Sequence, residues 1–173
     1  ATLDGAFAEV SFSPAHSARI GPRSTLVITR HRRQERGILR ILLKVVQGRV
    51  RAAVDRARAG DSDFGMYGHT VVTAVKGTEY EFIRNAAAVT VAVEAGRVLV
   101  AESGGESPDE VDRVFIALLA GRLGMRLLEG YKLDFKPGLP FPSPVPIPAD
   151  FLSPFSPPKP PRPPADRKVP ARG

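Results

Sequence analysis

The chain contains no cysteine, which excludes disulfides, thiolate metal sites and cysteine nucleophiles together. Histidine is scarce: His16, His31 and His69 are the only three. No two of them stand at a metal-ligand spacing, and neither a His-Glu-x-x-His nor an EF-hand pattern occurs. His31 sits within Arg30-His31-Arg32-Arg33, where the neighbouring positive charge disfavours both a metal ion and an imidazolium. No apolar run approaches the ~18 residues that a membrane-spanning helix needs; the longest lies around Val114 to Leu119. Proline is nearly missing from the first three quarters of the chain. Of 17 prolines, only Pro14, Pro22 and Pro108 precede residue 137. That shift in composition marks a boundary between a folded body, ending near Phe135, and a proline-rich tail.

What remains suffices for one ordinary domain and an appendage: 173 residues, 43% of them hydrophobic. The net charge of +7 leaves an acidic partner open. Five Lys or Arg against two Asp in the tail from Pro137 onward account for +3 of it, leaving +4 (7 − 3) on the body. The sequence starts at Ala1 rather than Met; a cleaved leader would explain that start, and export is the expectation.

Short strands fill the first hundred residues. Ala6 to Phe12 alternates, Ser24 to Thr29 is β-branched behind Gly21-Pro22, and Thr70 to Val75, Thr78 to Ile83, Val89 to Val93 and Val98 to Val100 complete the series. Ile38 to Val46 and Arg49 to Val54 read as two strands joined by a turn at Gln47-Gly48. A Gly-Arg-Val core recurs at Gly48-Arg49-Val50 and Gly96-Arg97-Val98, suggesting a two-fold pseudo-repeat in which glycine supplies positive φ and arginine faces solvent. Arg56 to Tyr67, rich in Gly and Asp, reads as a loop. Ser107-Pro108-Asp109-Glu110 opens one helix, with Ser107 as N-cap and acidic residues at the positive helix end. Val111, Val114, Phe115, Leu118 and Leu119 give that helix an apolar stripe for docking on a sheet. Leu127 to Phe135 reads as a last helical turn or an edge strand.

In the tail, alternate prolines favour polyproline II and forbid helix and central strand. A spacer would be polar, yet Phe141, Val145, Ile147, Phe151, Leu152 and Phe155 would be costly to leave in water. They read as binding residues, either wrapped back on the tail's own domain or docked on a partner or neighbouring subunit. The remainder of the tail reads as linker.

Four segments, in order, resemble the FecR-like domain family. Ala18 to Ile28 resembles its strand, Gly-Pro turn and strand. Leu43-Lys44-Val45-Val46-Gln47-Gly48-Arg49-Val50 resembles its strand pair around Gly-Arg-Val. Thr70 to Phe82, with Lys76-Gly77-Thr78-Glu79-Tyr80-Glu81-Phe82, resembles its most distinctive stretch, and Val91 to Val100 its closing valine-rich strand. The resemblance covers roughly residues 5–101. It implies an extracytoplasmic all-β domain of stacked, turn-linked strands, with Gly21, Pro22, Gly48, Arg49, Gly77, Thr78, Gly96 and Arg97 as structural motif residues. In known members such a domain relays a signal from an outer-membrane transporter to a sigma factor. The family implies no catalytic residues.

Other chemistry finds little support. Asp61-Ser62-Asp63 lacks the remainder of a calcium loop and reads as solvated. Glu79 and Glu81 face the same way, as an exposed strand face rather than a catalytic pair. Gly104-Gly105-Glu106-Ser107 lacks the Gly-Lys-Ser/Thr ending of a phosphate loop, and no Gly-x-Ser-x-Gly elbow occurs. The basic run Arg30 to Arg36 has no aromatic for base stacking, arguing against nucleic acid and for a solvated hairpin loop, though an acidic glycan stays open.

The expectation is therefore mainly β: a stacked or sandwich-like antiparallel domain of FecR type over 1–106, a helix and connecting segment packed on it over 107–135, and an extended tail over 136–173. It is expected to be a non-catalytic, cofactor-free and metal-free interaction module, exported to the periplasm or cell surface. The first expected use is self-assembly or scaffolding, as a homo-oligomer whose tail docks on a neighbour. The alternative is a periplasmic sensor or relay contacting an envelope protein partner or glycan.

Overall fold

The structure is a computed structural model and describes residues 1–33, 37–60, 62–151 and 155. Alternating, β-branched segments build strands β1 (Ala8–Ser13), β2 (His16–Ile20), β3 (Thr25–Arg33) and β4 (Leu39–Val54). A single helical turn, α1 (Arg56–Ala59), leads into β5 (Ser62–Gly68), β6 (Val71–Ala74), β7 (Glu79–Arg84), β8 (Val89–Ala95) and β9 (Arg97–Glu102). The chain continues with α2 (Pro108–Leu119), β10 (Met125–Leu128), β11 (Tyr131–Phe135) and β12 (Val145–Pro146).

The strands form one curled sheet folded onto itself, with two halves that share β4. Half A has the order β1-β2-β4-β7-β8-β11-β12 and is antiparallel throughout. Half B has the order β3-β4-β5-β6-β9-β10 and contains one parallel pair, β4 with β5. The fold is thus mainly β as expected, and mixed rather than wholly antiparallel. Between the halves lies the main core, with Ile41, Leu43, Val45, Phe64 and Met66 from B facing Val50, Ala52, Tyr80, Phe82 and Val91 from A. A second cluster lies on the outer face of half B, where Val111, Phe115 and Leu118 of α2 cover Leu42, Tyr67, Val72 and Ala101. Ser107 caps α2 by accepting a hydrogen bond from the Glu110 amide, as the sequence pattern predicts.

The glycine motifs mark the places where the chain passes from one half to the other. At Gly48 (φ +90°), β4 leaves β3 and β5 and joins β2 and β7. Its inward set changes phase there, from Ile41, Leu43 and Val45 to Val50, Ala52 and Val54. A strand can move its buried set to the other parity only where the regular alternation slips by one residue, and glycine accepts the left-handed backbone that the slip needs. Gly96 (φ +85°) does the same between β8 in A and β9 in B. The expected turn at Gln47-Gly48 is therefore a corner inside one 16-residue strand, because its two arms pair with different neighbours and not with each other.

Each corner is closed by a hydroxyl. Ser24 Oγ accepts from the Arg49 amide at 2.9 Å and lies 3.3 Å from the Arg49 carbonyl oxygen. Thr78 Oγ1 donates to the Arg97 carbonyl at 2.7 Å and accepts from the Arg97 amide at 3.4 Å. Gly21-Pro22 and Gly77 carry the partner strands across the same two corners, from β2 to β3 and from β6 to β7. The Gly-Arg-Val pseudo-repeat thus corresponds to one corner device used twice.

Two further sequence readings are corrected, and of the two alternatives open for a third segment the strand holds. Arg56 to Tyr67 is not a loop: β5 is buried along its whole length in the middle of half B. Its glycine at Gly65 gives room on the outer face, where a Cβ would run into the Phe115 ring and the Thr73 carbonyl. Arg30 to Arg33 belong to edge strand β3, and not to a hairpin loop; residues 34–36 lie outside the described residues. Leu127 to Phe135 forms strands β10 and β11 and no helix.

Candidate interaction surface

The outer face of half A is assembled by register. Glu9 of β1 lies beside Arg19 of β2, Arg19 beside Arg51 of β4, and Arg51 beside Glu81 of β7; Glu81 then meets Ala92 of β8, and Ala92 meets Lys132 of β11. Opposite charges stand side by side at Glu9/Arg19 and at Arg51/Glu81 and attract across the strands, whereas Arg19 and Arg51 are like neighbours. Arg19 Nε is 3.0 Å from Glu9 Oε2, and Arg49 Nε is 2.5 Å from Glu81 Oε2. Arg51 Nη2 reaches both Glu79 (2.8 Å) and Glu94 (2.7 Å). Lys132 Nζ is 2.6 Å from Asp134 Oδ2, and Thr90 donates to the same carboxylate at 2.6 Å.

A polar sheet face is ordinarily open to water, yet Glu81 and Ala92 are fully buried. The cover is the proline-rich segment, which crosses the face as a strap. Val145 pairs with Lys132 through β12, and Ile147 donates its amide to the Gly130 carbonyl at 2.8 Å. The Phe151 ring lies over the Arg49 guanidinium (4.9 Å) and within 6.0 Å of Lys132 Nζ, a cation–π geometry. Phe155, itself buried, packs edge-on against Phe7 (centroids 5.8 Å apart) and its ring abuts Gly21. Phe141 stacks edge-to-face on Phe135 at 4.8 Å. Of the tail residues expected to bind, Phe141, Val145, Ile147, Phe151 and Phe155 all lie along their own domain, with Phe141 and Val145 still exposed. Leu152 is outside the described residues.

The strap changes the electrostatics beneath it. The expectation of an exposed Glu79/Glu81 face is corrected at Glu81, which is buried and ion-paired. Burial raises the pKa of Glu94; the nearby Arg51 opposes this, while a hydrogen bond with Glu81 and the charges of Glu81 and Glu79 reinforce it. For Asp134, burial alone would raise the pKa, but hydrogen bonds from Lys132 and Thr90 outweigh it and hold the carboxyl low.

The other sequence candidates are placed elsewhere and locked in structural roles. His16, not singled out in the sequence, is buried. Its Nδ1 is 2.7 Å from Ser13 Oγ and its Nε2 2.8 Å from Ser62 Oγ, and its ring stacks on Phe64. Burial lowers its pKa, so the imidazole is neutral. The signal that could have found it is an alternation in which His16, Ala18 and Ile20 share the inward face. His31 packs beside Phe12 at the sheet edge, and His69 contacts the Asn85 carbonyl. Asp63 pairs with Arg40 (3.4 Å) and Lys76 (3.9 Å); Asp61 lies outside the described residues. Glu106, in the Gly104-Gly105 segment, binds Lys44 at 2.5 Å and Arg84 at 3.0 Å. Burial would raise its pKa, but these cations prevail and hold it low. Among the described residues no group of three or more His, Cys, Asp or Glu could hold a metal ion. No helix among them is long and apolar enough to cross a membrane.

The architecture is that of a curled, mainly β domain, its polar outer face strapped by its own tail. The family described as FecR protein matches residues 1–99, more than half of the chain, and the chain belongs to that family. Two solved structures share the fold, both of a candidate anti-sigma factor from Parabacteroides distasonis ATCC 8503, determined at 1.65 Å and 2.50 Å. Their TM-scores are 0.53 and 0.52, with 14% and 15% sequence identity. In both comparisons 83% of this chain is covered, and it spans 56% of the other chain's length. A search of the curated proteins found no match.

Proposed function

We propose that this chain is a non-catalytic protein-interaction module that works outside the cytoplasm and relays an envelope signal by contact, with the strapped outer face of half A as its partner surface. Membership of the FecR family supports the relay, as does a fold shared with structures described as candidate anti-sigma factors. One observation carries the choice of surface. Two aromatic side chains of the tail, Phe151 and Phe155, cover a charged sheet face on which Arg49 is already ion-paired with Glu81, and Arg51 with both Glu79 and Glu94. A face built this way accepts an aromatic, extended segment without leaving a buried charge unpaired. An extended partner segment bearing aromatic residues can take the strap's place.

The test is site-specific photocrosslinking of the full-length protein in its native cells. The photoreactive residue is placed at Ala53 or Ser17 on the strapped face, and at Arg113 on α2 as control. A discrete adduct with an envelope protein from Ala53 and Ser17, absent from Arg113, is the expected result. Adducts only between copies of this chain favour the self-assembly reading instead. Equal labelling from all three positions overturns the choice of face.

A further inference from the structure

A second surface lies on the other side of the molecule, where α2 ends before the sheet does. The last residues of β6, β9 and β10 stand in register there: Ala74 lies beside Leu99, and Leu99 beside Arg126. Two residues further along, on the same face, β9 contributes Arg97, opposite Leu128 of β10, while Lys76 follows Ala74. Because α2 stops at Leu119, Leu99 and the residues beyond it in this row are only partly covered, while Ala74 stays buried. The result is a groove of about 360 Å³ lined by Leu99, Leu119 and Leu123, with the buried Leu118 behind them.

Its rim is Lys76, Arg97 and Arg126, and among the described residues no acidic side chain lines it. All three cations are exposed. Arg97 and Arg126 have no ion-pair partner among the described residues, and Lys76 has only Asp63 at 3.9 Å. The carbonyl end of α2 faces the same groove, but its partial charge, about half an elementary charge, is small against three cations. Part of it is also taken up, since the carbonyls of Ile116, Ala117 and Leu118 accept from Ala120, Arg122 and Gly121. Lys76 and Arg97 each adjoin a corner glycine. The corner uses the backbone of Arg97 and leaves its guanidinium with no structural role.

We propose that this groove docks an acidic segment of a partner protein, one that sets an aliphatic or aromatic anchor between carboxylates. The charge pattern selects the acid: three cations around the rim, two of them without an ion-pair partner among the described residues, raise the local concentration of an anionic partner and orient it. The floor selects the anchor. Leu99, Leu119 and Leu123 form an apolar patch that excludes water around one or two side chains, and Leu128 beside it, 54% exposed, extends the patch. An open groove of this size does not enclose an acyl chain, so the occupant is a peptide and not a lipid. The site is separate from the strapped face and stands or falls independently of it.

The probe is a fluorescein-labelled peptide, Gly-Glu-Leu-Glu-Phe-Glu-Gly, titrated into the full chain by anisotropy, with amide chemical shifts recorded in parallel. Saturable binding is expected, with shifts confined to residues 74–76, 97–99 and 118–128. Replacing every Glu of the peptide by Gln, or introducing Arg97→Glu with Arg126→Glu, is expected to weaken it about tenfold. Arg32→Glu with Arg33→Glu, a charge reversal of equal size elsewhere, is expected to change it less than twofold. Absence of binding, shifts at other residues, or equal losses from both double variants would overturn the proposal. So would laurate shifting these amides where the peptide does not, which would assign the groove to a lipid. Circular dichroism on each variant verifies that the exposed substitutions leave the fold intact.

Discussion

Replacing Gly48 by alanine tests the corner geometry most directly. Gly48 has φ +90°, a conformation that costs an L-residue about 1–2 kcal/mol. A Cβ at this position would also stand 2.6 Å from Ser24 Cα, a backbone atom of the neighbouring strand, so the strand and not a flexible side-chain tip has to yield. Overpacking of this kind costs about 1–3 kcal/mol. The displacement strains the two contacts by which Ser24 Oγ closes the corner on Arg49, at about 1 kcal/mol for a bond lost. The sum is about 3–6 kcal/mol. Gly130 is the control: its φ is +81° and a Cβ there meets nothing within 4 Å, so G130A carries only the backbone strain, about 1 kcal/mol. Urea unfolding of G48A, G130A and the parent protein measures the difference. For a domain of this length 1 kcal/mol moves Tm by about 2–4 °C, so G48A is expected to melt roughly 10 °C below the parent and G130A only a few degrees below. If the two variants lie within about 1 kcal/mol of each other, the close packing of the two strands at the corner is not what makes Gly48 necessary.

Two pH predictions have opposite sign. The pKa of Glu94 is raised in the folded chain above its ordinary 4.5, so the folded state binds more protons and stability falls as pH rises through the window above 4.5; E94Q is expected to flatten that fall in urea titrations, and an unchanged slope would show that Glu94 is not the group responsible. The pKa of His16 is lowered below 6.5, so the unfolded state binds the extra proton and stability falls as pH drops below about 6.5; H16Q is expected to remove that acid-side slope while lowering stability at neutral pH, since Ser13 and Ser62 lose well-placed partners. Equal slopes in H16Q and the parent between pH 5 and 7 would show that His16 is not the group responsible.

Local chemistry made much of this protein legible before any contact was known. Alternation along Glu79–Arg84 and Val89–Ala95 has the period of a half-buried strand, Val71–Ala74 is the short, mostly β-branched run of a fully buried one, and these segments are strands. Ser107 and Pro108 are start signals that act within one helical turn, and α2 begins there. The Gly-Arg-Val repeat was visible too, because a position that demands positive φ leaves a glycine in the sequence whatever surrounds it. Its meaning was not visible. Hairpin turn and sheet-to-sheet corner demand the same backbone, and only the identity of the neighbouring strands separates them. Three further matters were decided by tertiary structure alone. β5 looks like a loop by composition, and becomes a central strand because β4 and β6 flank it and Phe115 needs the space that Gly65 leaves. Glu81 looks like a surface carboxylate, and is buried because a strap about 70 residues later in the chain lies above it. Lys76, Arg97 and Arg126 are scattered over 50 residues and meet at one groove through strand register. Periodicity reports what a residue's own strand or helix requires. Burial, pairing and the gathering of charge depend on which distant segment arrives opposite, and that is a property of the assembled sheet.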